Sequence, residues 1–147
     1  IAPALRRLDQ TFEFMDEYVE QSKERYSAVG LDWHSCLEES VLHEAGENQE
    51  GLIEYKGASE KIIQDLNSLV EFEHNKICPE VDCPTLLIAA RGALVDEPLY
   101  KEVSYDKTRS LISNLEFKET EKNHYTMLLE KEPVVTEMIK EFLGKKI

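Results

Sequence analysis

Two short stretches carry residue types that can move protons: Asp96 and Glu97 in VDEP, and His124 in NHYT. Imidazole has the side-chain pKa nearest neutrality, so it can take a proton and return it within one turnover. A carboxylate on one ring nitrogen would fix the tautomer and leave the other nitrogen as a base. That pair works only if the two segments meet. The apolar run 85–90 precedes Asp96, and the alternating run 115–119 precedes His124. As neighbouring strands of a parallel sheet they would run about 5 Å apart. The loops leaving their carboxyl ends would then share the rim where sites of open α/β sheets gather. Glu97 is the substitute acid. Plainer roles also exist, with His124 a surface or capping residue and Asp96 part of a turn.

Periodicity supplies the elements that would position these groups. Residues 85–90, apolar on both faces and following Pro84, read as a parallel strand with helices above and below. A helix is expected over 104–113, and the alternation in 115–119 reads as a half-buried strand nearer a sheet edge. Pro133 suits the first position of a last helix with Val134, Val135, Met138, Ile139, Phe142 and Leu143 on one face. Gly144 would stop that helix, with Lys145 and Lys146 complementing its dipole. Burying six such side chains contributes on the order of 10 kcal/mol gross. In the first half, Phe12, Met15, Val19, Ser22, Tyr26 and Val29 form one stripe of a helix over 11–29 that stops at Gly30. A second helix is expected over 35–45, a loop at GENQEG, and a third helix with Ser59 as N-cap and Ile62, Ile63, Leu66, Leu69 and Val70 on one face.

Residues 11–72 therefore read as a helical layer. The chain divides into a helical segment, 1–78, and an α/β segment, 79–147, with a partial parallel sheet. Only two strands are visible, so the sheet is expected to be unfinished and to self-associate through its open edge.

Composition narrows the function classes. A chain of 147 residues, 41% hydrophobic, can build one core. Thirty acidic against 17 basic residues give a net charge of −13, which disfavours nucleic acid and anionic membrane surfaces as partners. No apolar run reaches the roughly 18 residues of a membrane span, and the N-terminus lacks a secretory pattern. With Ile at position 1, translation is expected to start upstream. The odd cysteine count of three favours a reducing, cytoplasmic setting. A small Cys78–Cys83 disulfide in CPEVDC is the less favoured alternative. His34, Cys36 and His43, like His74, Cys78 and Cys83, match no zinc spacing. Phosphate-binding glycine loops and calcium loops are absent too, so neither metal nor cofactor is expected.

DCPTLLIAARGALVDEPLY followed by FKETEKNHYTMLLEKEPVVTEMIKEFL resembles the C-terminal end of the α/β-hydrolase family over residues 82–143. In that family a strand opening with Pro-Thr/Val-Leu-Leu leads to a glycine-containing loop with the acid. The next strand leads to the histidine, and a last helix ends in Phe-Leu. The resemblance implies a helical cap over 1–78, then the last strands of the hydrolase core, with Asp96 as acid and His124 as base of an esterase-like serine hydrolase. It also implies a small-molecule substrate in an apolar acyl or alcohol pocket lined by Tyr125 and the cap aromatics Phe12, Phe14, Tyr18, Tyr26 and Trp33. Ordinary core packing is the competing use of those rings. The family's Gly-x-Ser-x-Gly nucleophile elbow does not occur here. The nearest stretch, Gly57-Ala58-Ser59-Glu60-Lys61, has Lys61 where the closing glycine belongs, and Ser59 suits an N-cap. The resemblance thus implies the C-terminal portion of a longer hydrolase, inactive alone. The alternative is a non-catalytic acidic domain that self-associates or binds a protein partner, with His124 incidental.

Overall fold

A computed structural model describes residues 7–145, apart from the side chains of Arg7, Ser59 and Val70. The chain is mixed α/β and forms two compact units. One comprises Asp32–Phe72 with the residues before Val29; the other comprises Val29–Leu31 with the residues from Glu73 on.

The first unit contains β1 (Thr11–Phe12), α1 (Met15–Ala28), α2 (Ser35–Glu44), β2 (Ala45–Glu47), β3 (Ile53–Tyr55) and α3 (Ser59–Val70). Its strands form an antiparallel sheet in the order β1-β3-β2, with Phe12 opposite Ile53 and Ala45 opposite Tyr55. A purely helical layer over 11–72 is therefore corrected. GENQEG is the turn of a hairpin and not a free loop. Asn48 accepts the N–H groups of Glu50 and Leu52 on its side-chain oxygen, both at 3.0 Å, and Gly51 takes a left-handed φ of 80°.

Helix α1 begins at Met15, later than residue 11, because Thr11 and Phe12 are drawn into the sheet. Glu17 then reaches back to the N–H groups of Glu13 and Phe14 at 3.2 and 3.4 Å, satisfying donors before the first turn. Tyr18, Val19, Val41 and Ala45 form the core, with Phe12, Met15, Tyr26, Trp33 and Ile53 packed against it. Ser22 sits fully buried on the same stripe because its hydroxyl donates to the Tyr18 carbonyl at 2.8 Å. Helix α3 starts one residue earlier in cap terms than expected: Ala58 holds the cap position and Ser59 is the first helical residue. Roles assigned to the side chains of Ser59 and Val70 lie outside the described residues.

The second unit contains α4 (His74–Ile77), a 3-10 turn (Cys78–Glu80), β4 (Thr85–Ala90), α5 (Glu102–Leu111), β5 (Leu115–Thr120), α6 (Thr126–Leu129) and α7 (Val134–Gly144). β4 and β5 pair directly and in parallel, from Thr85 opposite Leu115 to Ala90 opposite Thr120. Among the described residues β4 has no other strand partner. Only Ala89 and Ala90 of β4 are fully buried; Thr85 to Ile88 are half-buried.

Helix α7 follows the expected stripe in part. Pro133 occupies the cap position, Val135 and Phe142 are buried, and Ile139 and Leu143 stay 42% and 51% exposed. Two buried side chains give roughly 5 kcal/mol gross, below the value for a fully covered face. Lys145 pairs with Glu116 and Glu141 at 3.3 and 3.4 Å, and Lys118 also pairs with Glu141, tying α7 to β5. Hydrogen bonding and charge from Lys118, then Lys145, hold the Glu141 carboxyl below its usual range. Lys146 lies outside the described residues. All three cysteines are free thiols. No helix among the described residues is long and apolar enough to cross a membrane.

Val41 is 1% exposed at the centre of the first unit. Val41→Ala should destabilise that unit by about 2 kcal/mol, read as an earlier urea transition in the fluorescence of Trp33, the single tryptophan. An unchanged midpoint would mean that Val41 is not a core residue.

Candidate functional site

Pairing does not stop at the last strand residues. The Arg91 N–H donates to the Thr120 carbonyl at 2.8 Å and the Gly92 N–H to the Lys122 carbonyl at 3.1 Å, so the two departing loops stay hydrogen-bonded. A Cβ on Gly92 would lie 2.5 Å from the Glu121 carbonyl oxygen and 2.6 Å from the Asn123 nitrogen. Glycine is needed there for close backbone approach.

Asn123 then organises the second loop. Its side-chain oxygen accepts the N–H groups of Tyr125 and Thr126, both at 2.9 Å, and caps α6. Its side-chain nitrogen donates to the Val29 carbonyl at 2.8 Å, and its backbone N–H to the Thr126 hydroxyl at 3.0 Å. His124 is thus held inside a capped turn, half-buried. Its ring meets Tyr100 and Tyr125 edge to face, with centroids 5.7 and 5.9 Å away.

Asp96 and Glu97 are exposed in the loop after β4, in a turn closed by the Leu94 N–H on the Glu97 carbonyl at 3.0 Å. Among the described residues no hydrogen bond or ion pair joins His124 to either acid. The strands bring both loops to one rim, but ring contacts, not a carboxylate, orient the imidazole.

Behind the rim, Arg91 joins three elements. Its guanidinium pairs with Glu102 at the start of α5 and with Glu119 of β5, and lies 5.1 Å from the Tyr105 ring centroid and 5.9 Å from that of Phe117. Those hydrogen-bonded carboxylates, Glu102 first, push the Arg91 pKa up and keep its charge fixed. Burial raises the Tyr105 phenol above its ordinary value of 10.0, opposed in part by a backbone hydrogen bond at Ala90 and the Arg91 charge.

The other sequence candidates are placed as follows. Tyr125 is partly exposed beside His124, whereas Phe12, Tyr18 and Trp33 contribute to the packing of the first unit. Ser59 opens α3. Among the described residues no group of three or more His, Cys, Asp or Glu side chains is arranged to hold a metal. Arg91, Tyr100 and Asn123 carry no motif that marks them in the sequence, where Gly92 reads only as a loop glycine; the Asn immediately before His124 is the one readable sign of a cap. No family model, curated protein or solved structure matches the chain.

Asn123→Ala removes the cap and should cost about 1 kcal/mol, with amide exchange accelerated over 124–129; protection equal to the parent chain's would rule out the cap. Gly92→Ala should perturb the same amides through backbone displacement.

Tyr105 gives a pH prediction. Its raised pKa favours the neutral phenol in the fold, so this contribution is complete below pH 10.0 and is lost as pH climbs through the raised value. One of the six tyrosines should ionise late in an ultraviolet titration, and Tyr105→Phe should remove that phase. A late phase that survives the substitution would assign it elsewhere.

Proposed function

We propose that the second unit is the acid- and histidine-bearing end of an α/β-hydrolase-type catalytic core acting on an ester of a small acid or alcohol. The chain is inactive by itself in this reading, because no Gly-x-Ser-x-Gly elbow occurs in it. The observation that supports it is the direct parallel pairing of β4 with β5, extended by hydrogen bonds into the loops that carry Asp96 and His124.

His124 takes the proton of a serine hydroxyl supplied by another part of the catalytic core as the oxygen attacks the ester carbonyl. It then passes that proton to the leaving alcohol. Asp96 stabilises the imidazolium once its exposed side chain turns toward the ring, with Glu97 as the substitute. Tyr125, beside the imidazole, offers an apolar wall for the acyl or alcohol group. Tyr100 and Tyr125 hold the ring plane meanwhile and occupy neither nitrogen.

The isolated chain should not turn over short p-nitrophenyl esters and should not be labelled by a fluorophosphonate probe. Joined to a segment that supplies the nucleophile elbow, in a longer protein, it should hydrolyse them. In that longer protein His124→Ala should lower kcat by about four orders of magnitude, and Asp96→Asn should cost more than Glu97→Gln. Labelling of a serine in the isolated chain, or a longer protein indifferent to His124→Ala, would overturn the proposal.

A further inference from the structure

We infer that a cavity of about 420 Å³ beside α5 binds a small aliphatic carboxylate. Its volume lies in the lower part of the range of small-molecule sites. Leu87 of β4 and the Tyr105 ring supply the apolar surface, and Tyr100 closes one end with its ring 6.4 Å from that of Tyr105. Ser104, Lys107 and Thr108 enter from α5 at i, i+3 and i+4. The Thr108 hydroxyl donates to the Ser104 carbonyl at 3.1 Å, so this face presents the Lys107 ammonium and the Ser104 hydroxyl as donors, with the Thr108 methyl adding apolar surface. His74 contributes the remaining lining.

Charge selects the ligand. The chain has 30 acidic residues in 147, yet none of the residues lining this cavity is acidic, and Lys107 forms no ion pair among the described residues. The nearby acids are used elsewhere: Glu102 pairs with Arg91, and Asp106 with Arg109 at 3.4 Å. An uncompensated ammonium over an apolar surface favours an anion with a hydrocarbon tail. One point charge beside one hydroxyl donor, with no guanidinium fork, suits a carboxylate better than the more highly charged phosphate. The inference is independent of the hydrolytic reading, since binding is measured on this chain with His124 intact.

The probe is hexanoate, titrated into the isotope-labelled chain and followed by amide NMR, with 1-hexanol as the neutral control. Saturable shifts are expected at Leu87, Ser104, Tyr105, Lys107 and Thr108, with hexanol binding about 10-fold more weakly, as loss of a charge-assisted hydrogen bond implies. Lys107→Met should weaken hexanoate by about the same factor and leave hexanol unchanged. Leu87→Trp should abolish binding of both; should that variant fail to fold, Thr108→Trp blocks the same space from the helix surface. Four results would each overturn the inference: no saturable shift, shifts centred on other residues, equal affinity for acid and alcohol, or hexanoate binding indifferent to Lys107→Met. Concentration-dependent shifts of these amides without ligand would also overturn it, because a second copy of the chain would then occupy the cavity.

Discussion

Two backbone hydrogen bonds beyond the last paired strand residues fix the rim of the second unit: Arg91 to Thr120 and Gly92 to Lys122. They carry the β4–β5 ladder into both loops at a point where strands ordinarily diverge. Continuation requires contact that no side chain at position 92 would permit, since a Cβ there would press on main-chain atoms of 121–123. Arg91 makes the arrangement self-consistent. Its backbone extends the ladder while its guanidinium gathers Glu102, Glu119 and two aromatic faces, so the end of β4, the start of α5 and the end of β5 share one anchor.

The elements that the sequence makes plain are those long enough to display a period. Residues 85–90 and 115–120 are six-residue strands, and their parallel pairing follows from the helix between them. β2 and β3 are three residues each, too short for alternation to differ from chance, and what makes them strands is a turn built by Asn48 and Gly51. A stripe also says only which residues share a face, not whether a neighbour covers it. Ile139 and Leu143 of α7 belong to the stripe of Val135 and Phe142 but remain exposed. The same reasoning applies at the rim: chain order puts Asp96 and His124 in adjacent loops, while the direction of each side chain depends on turns that periodicity does not encode.

Stability of the second unit rests on packing more than on charge. The Lys118, Lys145, Glu116 and Glu141 network joins β5 to α7, but Lys145 and Glu141 are exposed and Lys118 and Glu116 only half-buried, and pairs open to water contribute at most about 1 kcal/mol each. Leu31, Cys78, Ala89, Ala90, Tyr105, Thr120, Thr126, Val135 and Phe142 are the unit's buried residues among those described. Among the described residues β4 pairs with β5 alone, and the half-burial of Thr85 to Ile88 is the direct expression of its other, unpaired edge.

The position of His124 at the seam between strand loop and helix follows from how its ring is held. A structural histidine inside a protein has its N–H groups tied to acceptors, because burying them unpaired is costly. His124 is fixed differently. Asn123 holds the backbone on either side, and Tyr100 and Tyr125 meet the ring edge to face, so the plane of the imidazole is constrained by contacts that consume no nitrogen. Among the described residues neither ring nitrogen takes part in a hydrogen bond or ion pair. The ring is thus oriented by its carbon atoms and its backbone.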